Sequence, residues 1–226
     1  MTVHLLAGRI CLVGHSTGCQ DICHLLRTGH ETWTSLTPHH PVRLVGAILQ
    51  APVSDRELAA VENPDAYHTH LALAQQMCRD GQGEECLPRA AFWAPMTAQR
   101  FCDLQAVGGR DDYFSSDLTD TQMAERLPAG GEHSWGNCTD DNNDNNAKLH
   151  MLVAFSGSDD YILPGLDTVA HTARLTAACN AKRPGTATAL HLPTCNHNLA
   201  QGTAEEINLF LQHVKDILVK GTATGE

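Results

Sequence analysis

The segment ICLVGHSTGCQD, residues 10–21, determines how the rest of the chain is interpreted. Its first four residues are apolar, a run too short for a helix and typical of a buried strand. The pentapeptide GHSTG follows, and residues 19–27 then carry apolar side chains at helical spacing. A G-x-S-x-G sequence between a strand and a helix is the context of a nucleophile elbow, in which the serine sits on a sharp turn. Ser16 is therefore a candidate nucleophile.

The residues around Ser16 suit such a turn. Gly14 and Gly18 carry no side chain, so we expect the strand and the helix to approach each other closely there. The N-terminus of the helix carries a positive partial charge, which favours an oxyanion beside Ser16. The backbone N–H of Thr17, the residue after the nucleophile, is the oxyanion-hole donor that we assign.

Three more apolar runs, at 42–49, 149–155 and 186–192, are predicted to be strands, and helical patterns alternate with them. The strands are continuously apolar, which is typical of a parallel sheet covered by helices on both faces. We therefore predict an α/β fold with a mostly parallel sheet.

Three helices carry local signals. Gly29 is predicted to end the first helix as its C′ residue. Asn63 is a predicted N-cap, with Pro64 at the first helical position of 63–79. The last helix, 204–219, is predicted to bury one apolar face made of Ile207, Phe210, Leu211, Val214 and Leu218.

A nucleophilic serine needs a base and a group that orients the base. Asp159 and Asp160 follow the third predicted strand, and His197 follows the fourth. The chain order Ser, Asp, His is that of an α/β-hydrolase, and the carboxyl ends of parallel strands meet at one edge of the sheet. Asp159 is favoured as the acid because the first aspartate of such a turn usually faces the histidine. Asp160 is the alternative acid, and Asp55, after the second strand, is an outside candidate.

Other histidines and cysteines are predicted to have structural or surface roles. The chain has fourteen histidines, and the position of His197 after the last strand separates it from those in loops. Cys19 and Cys23 share a helix face near His15 and His24, a spacing that a metal could use, but helical cysteines more often pack as small hydrophobes. We predict no metal site and no cofactor. Nine cysteines without a CxxC pair favour a reducing compartment, and we predict a cytoplasmic location.

Composition excludes several classes of protein. With 226 residues, of which 42% are hydrophobic, the chain is long enough for one globular domain. Its formal net charge is −11 and it has no basic cluster, so no nucleic-acid partner is predicted. It has no apolar run of membrane-spanning length, so no membrane association is predicted. The sequence leaves the oligomeric state open.

Several long motifs are similar to those of one family. They are GHSTGCQD at 14–21, ILQAPVSDRE at 48–57, PMTAQRF at 95–101, GGRDDYFSSDL at 108–118 and SGSDDYILPGLD at 156–167. Together they resemble an α/β-hydrolase family of largely uncharacterised fungal and plant proteins that includes fungal siderophore esterases. The resemblance covers about residues 8–212, with one extra residue near Leu163.

The resemblance implies a serine esterase with Ser16, Asp159 and His197 as its triad and a small-molecule ester as its substrate. It also implies a single α/β-hydrolase domain, with a core at 1–55 and 149–220. A helical lid would be inserted at 56–148, and the polar stretch 132–148 within it is predicted to be a flexible loop. The lid acids Asp111, Asp112 and Asp117 contact either substrate or the rest of the lid, and we favour the second role.

Only fifteen residues precede Ser16, whereas the resemblance implies a longer segment with the first strands of the sheet and a second oxyanion-hole donor. We therefore expect an N-terminally truncated form of the fold that is poorly stable and nearly inactive by itself. The alternative is a non-catalytic binding protein on the same scaffold. A thioesterase or peptidase that uses the same triad also stays open.

Overall fold

The computed structural model describes residues 9–29, 31, 43–128, 149–182 and 184–220, so the predicted flexible loop at 132–148 lies outside it. The strands in this part of the chain are β1 (Arg9–His15), β2 (Arg43–Gln50), β3 (His150–Ser156) and β4 (Ala187–Leu192). The helices are α1 (Thr17–Thr28), α2 (Asp55–Glu62), α3 (Pro64–Arg79), α4 (Ala98–Gln105), α5 (Asp120–Arg126), α6 (Thr168–Asn180) and α7 (Ala204–Lys220), with a 3₁₀ turn at Arg89–Ala91.

The four strands form one parallel sheet in the order β1-β2-β3-β4. The register places Val13 beside Ile48, and Ile48 beside Leu152. The predicted parallel sheet is therefore confirmed. Each strand ends within two residues of its predicted limit.

Helices cover both faces of the sheet, as the continuous apolar strands predict. Leu152 and Ala154 of β3 pack in one cluster with Ile217 of α7. The side chain of Phe155, on the opposite face of the strand, meets the ring of His171 of α6 at a centroid distance of 5.6 Å.

The apolar face predicted for the last helix is partly wrong. Ile207, Phe210 and Val214 pack against the sheet core together with Ile217. These positions follow the i, i+3, i+7, i+10 spacing of one helix face. Leu211 and Leu218 lie outside that stripe and are 47% and 43% exposed.

The predicted ends of the earlier helices are confirmed with one correction. Asn63 caps α3 by accepting a hydrogen bond from the N–H of Ala66 at 3.3 Å, and Pro64 opens the helix. Gly29 follows α1 but has a φ of −87°, so it is not a left-handed C′ residue. Glycine is required there for space, because a Cβ would lie 2.7 Å from the carbonyl oxygen of Leu25.

The described chain divides into two compact units. The first contains the sheet with α1, α5, α6 and α7; the second comprises 53–118 and 161–166. The second unit is mainly helical, and its core includes Ala74, Leu87, Ala98 and Phe101. The single domain with a lid at 56–148 stays a prediction. None of the helices in the described ranges has the length and apolar composition needed to cross a membrane.

Candidate active site

Ser16 occupies a strained turn between β1 and α1. Its φ of 55° and ψ of −125° are rare for a residue with a side chain, and such strain is concentrated at functional sites. Its backbone N–H donates to the carbonyl oxygen of Gln50 at 3.1 Å. Gly14 makes the turn possible, because a Cβ at this position would lie 2.5 Å from the carbonyl oxygen of Gly18. The observed geometry is that of a nucleophile elbow.

The two glycines of the elbow differ. At Gly18, a Cβ would meet no described atom within 4 Å. The predicted close approach of strand and helix is therefore confirmed, and it requires glycine at position 14 but not at position 18. Thr17 is the first residue of α1, where backbone N–H groups have no acceptor within the helix. Its N–H is thus positioned at the end of the helix that favours negative charge.

The predicted base and the favoured acid are hydrogen-bonded. Nδ1 of His197 lies 2.7 Å from Oδ2 of Asp159, whose side chain is fully buried. Asp160 is exposed. Asp55 lies in the first turn of α2, in the second unit. Because a carboxylate can only accept from a neutral imidazole, this bond holds His197 with its proton on Nδ1 and leaves Nε2 available as a base.

The loops that carry the acid and the base are joined by backbone hydrogen bonds. The N–H of Gly157 donates to the carbonyl oxygen of Leu192 at 2.8 Å, and that of Ser158 donates to Cys195 at 3.0 Å. The Ser158 hydroxyl adds a bond to the carbonyl oxygen of Pro193 at 2.9 Å. A Cβ at Gly157 would lie 2.8 Å from that same oxygen, so this close contact requires glycine.

Glu206 anchors the base loop to the start of α7. Its carboxylate accepts hydrogen bonds from the hydroxyl and the N–H of Thr194 and from the N–H of Thr203. The hydroxyl bond from Thr194, followed by the backbone bonds, lowers the pKa of Glu206 to about 2. The carboxylate therefore stays charged at every pH near neutrality.

Gln50 and His15 are two residues near the site that the sequence analysis did not predict to be part of it. The two residues are partners in the register of β1 and β2. The Gln50 side chain bonds to Nδ1 of His15 at 2.5 Å and to the carbonyl oxygen of His197 at 3.0 Å. Among the described residues, no hydrogen bond joins the Ser16 hydroxyl to His197, and such bonds are often long before substrate binds. The sequence did offer one signal for Gln50, because it is a polar residue at the end of an otherwise largely apolar strand.

Cys19 and Cys23 belong to the protein core. Both are fully buried, and burial raises the pKa of each thiol. The single S–H of Cys19 is shared between the carbonyl oxygens of Gly14 and Gln50, which lie 3.4 and 3.2 Å from Sγ. The described residues contain no group of three or more His, Cys, Asp or Glu side chains arranged to hold a metal ion.

The acids of the predicted lid have partners within the second unit. Asp112 and Asp117 both pair with Arg56, and Asp111 pairs with Arg100. Burial alone lowers the pKa of the Arg56 guanidinium, but the hydrogen bonds that it donates to Asp117 and the nearby carboxylates outweigh this effect and raise the pKa. These pairs favour the role of holding the unit's shape.

The second unit also contains a cavity of about 220 Å³. Its walls come from α2, α3, α4 and the 3₁₀ turn, and include Tyr67, Phe92, Phe101 and Gln105. The hydroxyl of Tyr67 donates to the carbonyl oxygen of Gln105 at 2.6 Å.

Comparison with known proteins supports both the fold and the resemblance. The model of a family described as "Protein of unknown function (DUF1749)" matches residues 2–219. UPF0613 protein PB24D3.06c of Schizosaccharomyces pombe is 28% identical over 205 residues, which is 88% of this chain and 59% of that protein. Fusarinine C esterase sidJ of Aspergillus fumigatus is 33% identical over 192 residues, 71% of this chain and 51% of that protein. The chain thus spans between half and three fifths of these relatives.

A solved structure is also similar. Siderophore hydrolase EstB from Aspergillus fumigatus superposes with a TM-score of 0.64 at 25% identity, over 96% of this chain and 68% of that one. With the parallel sheet and the strand–elbow–helix turn, this likeness confirms the predicted α/β-hydrolase fold. The resemblance to the family that includes fungal siderophore esterases is confirmed as well.

Proposed function

The chain belongs to the protein family of unknown function DUF1749, and from that premise we propose that it is a serine esterase. Ser16 is the nucleophile, His197 the general base and Asp159 the residue that orients the base. The single observation that carries the proposal is the 2.7 Å bond between His197 and the buried Asp159, on the same unit as the strained Ser16 elbow.

The reaction proceeds by acyl transfer. His197 Nε2 takes the proton of the Ser16 hydroxyl as its oxygen attacks the ester carbonyl, and the N–H of Thr17 donates to the resulting oxyanion. The tetrahedral intermediate collapses, the C–O bond to the alcohol breaks, and His197 returns the proton to the leaving alcohol. Water, deprotonated by His197, then attacks the acyl-enzyme; the C–O bond to Ser16 breaks, the acid is released, and His197 returns the proton to the Ser16 oxygen. Asp159 stabilises the imidazolium in both halves.

A fluorophosphonate probe tests the nucleophile, since it reacts with an activated serine and loses fluoride. We expect the chain to be labelled at Ser16, slowly because it is expected to be nearly inactive by itself, and we expect Ser16→Ala to stay unlabelled. Asp159→Asn should lower the rate of labelling by about 10⁴-fold, as loss of the orienting carboxylate does in other triads. Asp160→Asn is the matched control and should label at the wild-type rate. A folded chain without labelling would indicate the alternative, a non-catalytic binding protein.

The substrate class rests on similarity. One relative is named as an esterase of fusarinine C and the similar solved structure as a siderophore hydrolase, so we propose that the substrate is an ester of the hydroxamate siderophore type. Hydrolysis of fusarinine C should be faster, in kcat/KM, than hydrolysis of a p-nitrophenyl ester. The reverse preference would retain the esterase and overturn the siderophore assignment.

We further propose a reducing, cytoplasmic location. It is supported by the eight described cysteines, none of which is in a disulfide. Labelling of the free thiols in cell extract made under alkylating conditions tests it: recovery of disulfide-linked cysteines would contradict the assignment.

A further inference from the structure

Gln50 is a buried polar residue with an unusual set of contacts. It is the last residue of β2, and it is 6% exposed. Polar side chains buried to this extent need hydrogen-bond partners, and both ends of the Gln50 amide have one. The partners belong to two parts of the proposed site: His15, next to the nucleophile, and His197, the base.

The chemistry of these partners fixes the orientation of the amide. The backbone carbonyl oxygen of His197 is only an acceptor, so the –NH₂ group of Gln50 must face it. The amide oxygen of Gln50 therefore faces Nδ1 of His15, at 2.5 Å. Since an amide oxygen only accepts, His15 must carry a proton on Nδ1. Gln50 thus selects the tautomer of His15 in the same way that Asp159 selects that of His197.

The backbone of Gln50 holds the nucleophile elbow. Its carbonyl oxygen accepts the N–H of Ser16 at 3.1 Å and the thiol of Cys19 at 3.2 Å. The same residue therefore bonds to the nucleophile through its backbone and to the base through its side chain.

His15 completes the connection. Its ring lies against the ring of His197, with centroids 4.6 Å apart and planes at 54°. The imidazole of His197 is consequently held at Nδ1 by Asp159 and on its ring by His15, while Gln50 holds its backbone.

We propose that Gln50 is a positioning residue that couples the Ser16 elbow to the His197 base. In this proposal Gln50 fixes the tautomer of His15, and the ring of His15 in turn supports the ring of His197. The proposal rests on the proposed esterase function. It goes beyond the triad because it assigns a role to two residues that do not transfer the proton.

The first test compares labelling of Ser16 by a fluorophosphonate in three variants of the proposed contacts and in one control variant. Gln50→Leu removes both side-chain bonds, and we expect labelling to slow by about 10²-fold, the effect of a displacement of roughly 1 Å in a catalytic group. Gln50→Glu keeps an acceptor for His15 but places an oxygen against the His197 carbonyl, and should slow labelling by a similar factor. His15→Asn retains a donor to Gln50 and should slow it less.

Gln105→Leu is the matched control. Gln105 is 3% exposed and Gln50 6%, so both are buried, but Gln105 lies in the second unit and its Oε1 has no hydrogen-bond partner among the described residues. It should label at the wild-type rate. A loss equal to that of Gln50→Leu would show that only global stability is being measured, and would overturn the positioning role.

The second test is independent of activity. In ¹⁵N-histidine NMR spectra at about pH 9, where imidazoles are neutral, wild-type His15 should show the Nδ1–H tautomer. Gln50→Leu should convert it to the Nε2–H form that free histidine prefers. A wild-type His15 in the Nε2–H form would overturn the proposal.

The two proposals fail in different ways. A wild-type chain that is never labelled overturns the esterase function, and with it the coupling. A wild-type chain that is labelled, but no faster than Gln50→Leu, overturns only the role of Gln50.

Discussion

Gln50 and Arg56 are both about 95% buried. Each holds distant parts of its own unit together, Gln50 through neutral hydrogen bonds and Arg56 through ion pairs. Gln50, in the first unit, is neutral and forms two hydrogen bonds through its side chain. Arg56, in the second unit, is charged and pairs with Asp112 and Asp117. A buried charge that loses its partner is far more costly than a neutral amide that loses one. We therefore expect Arg56 to determine stability and Gln50 to determine reactivity.

The largest effect on stability is expected at Asp112. Its side chain is 1% exposed, pairs with Arg56 at 3.1 Å and accepts the N–H of Gly108 at 2.9 Å. Asp112→Ala removes the buried carboxylate that accepts from Arg56 Nε and from the N–H of Gly108, and should lower the free energy of unfolding by about 3–5 kcal/mol. The measurement is urea unfolding followed by circular dichroism.

Asp117→Ala is the comparison for that prediction. Asp117 bonds to the same guanidinium through two oxygens, at 3.1 and 2.5 Å, but its side chain is 52% exposed. Because solvent screens this pair, its loss should cost at most about 1 kcal/mol. Equal losses in the two variants would contradict the distinction between buried and exposed partners.

An intermediate effect is expected at the elbow of the first unit. Gly14→Ala forces a Cβ to within 2.5 Å of backbone, which the turn cannot accommodate without moving. It should destabilise the fold by about 1–3 kcal/mol and abolish labelling of Ser16.

Gly18→Ala supplies the contrast within the same pentapeptide. Space is open there, and alanine favours the helical conformation over glycine by about 0.5–1 kcal/mol. Thermal unfolding should therefore show a small gain in stability. A loss of stability similar to that of Gly14→Ala would contradict the inference that only position 14 requires glycine.

The smallest effect is expected at Glu206, and it depends on pH. The pKa of this carboxyl is lowered to about 2 by hydrogen bonds from Thr194 and Thr203, from a usual value of 4.5. The charged form thus stabilises the folded state above about pH 4.5, and this stabilisation is lost as the pH falls towards 2. Glu206→Gln should have a lower Tm than the wild type at pH 6, with the difference closing below pH 4. A difference that is constant across this range would contradict the assignment.

The sequence predicted those features that depend on local pattern. Continuous apolar runs predicted four parallel strands, and the motif at 14–18 predicted the turn at Ser16. Ser16, Asp159 and His197 each follow a predicted strand, which placed them at one edge of the sheet, and the structure joins Asp159 to His197 there.

Features that depend on packing could not be predicted in this way. Leu211 and Leu218 have apolar side chains, but they lie outside the stripe of α7 that packs against the sheet and are therefore exposed. Gly29 has a sequence position suited to a left-handed cap, but a nearby side chain and carbonyl decide its role. The contacts of Gln50 depend on the register of β1 and β2 and on a loop almost 150 positions away.

The bonds between the loops after β3 and β4 also determine when the site becomes competent. Ser158 binds the loop that carries His197, and this loop follows β4, the last of the described strands. A nascent chain emerges N-terminus first, so Ser16 leaves the ribosome well before its base is translated. On the proposed mechanism, the nucleophile therefore stays inert until β4 joins the sheet and the loop after it brings His197 to the site.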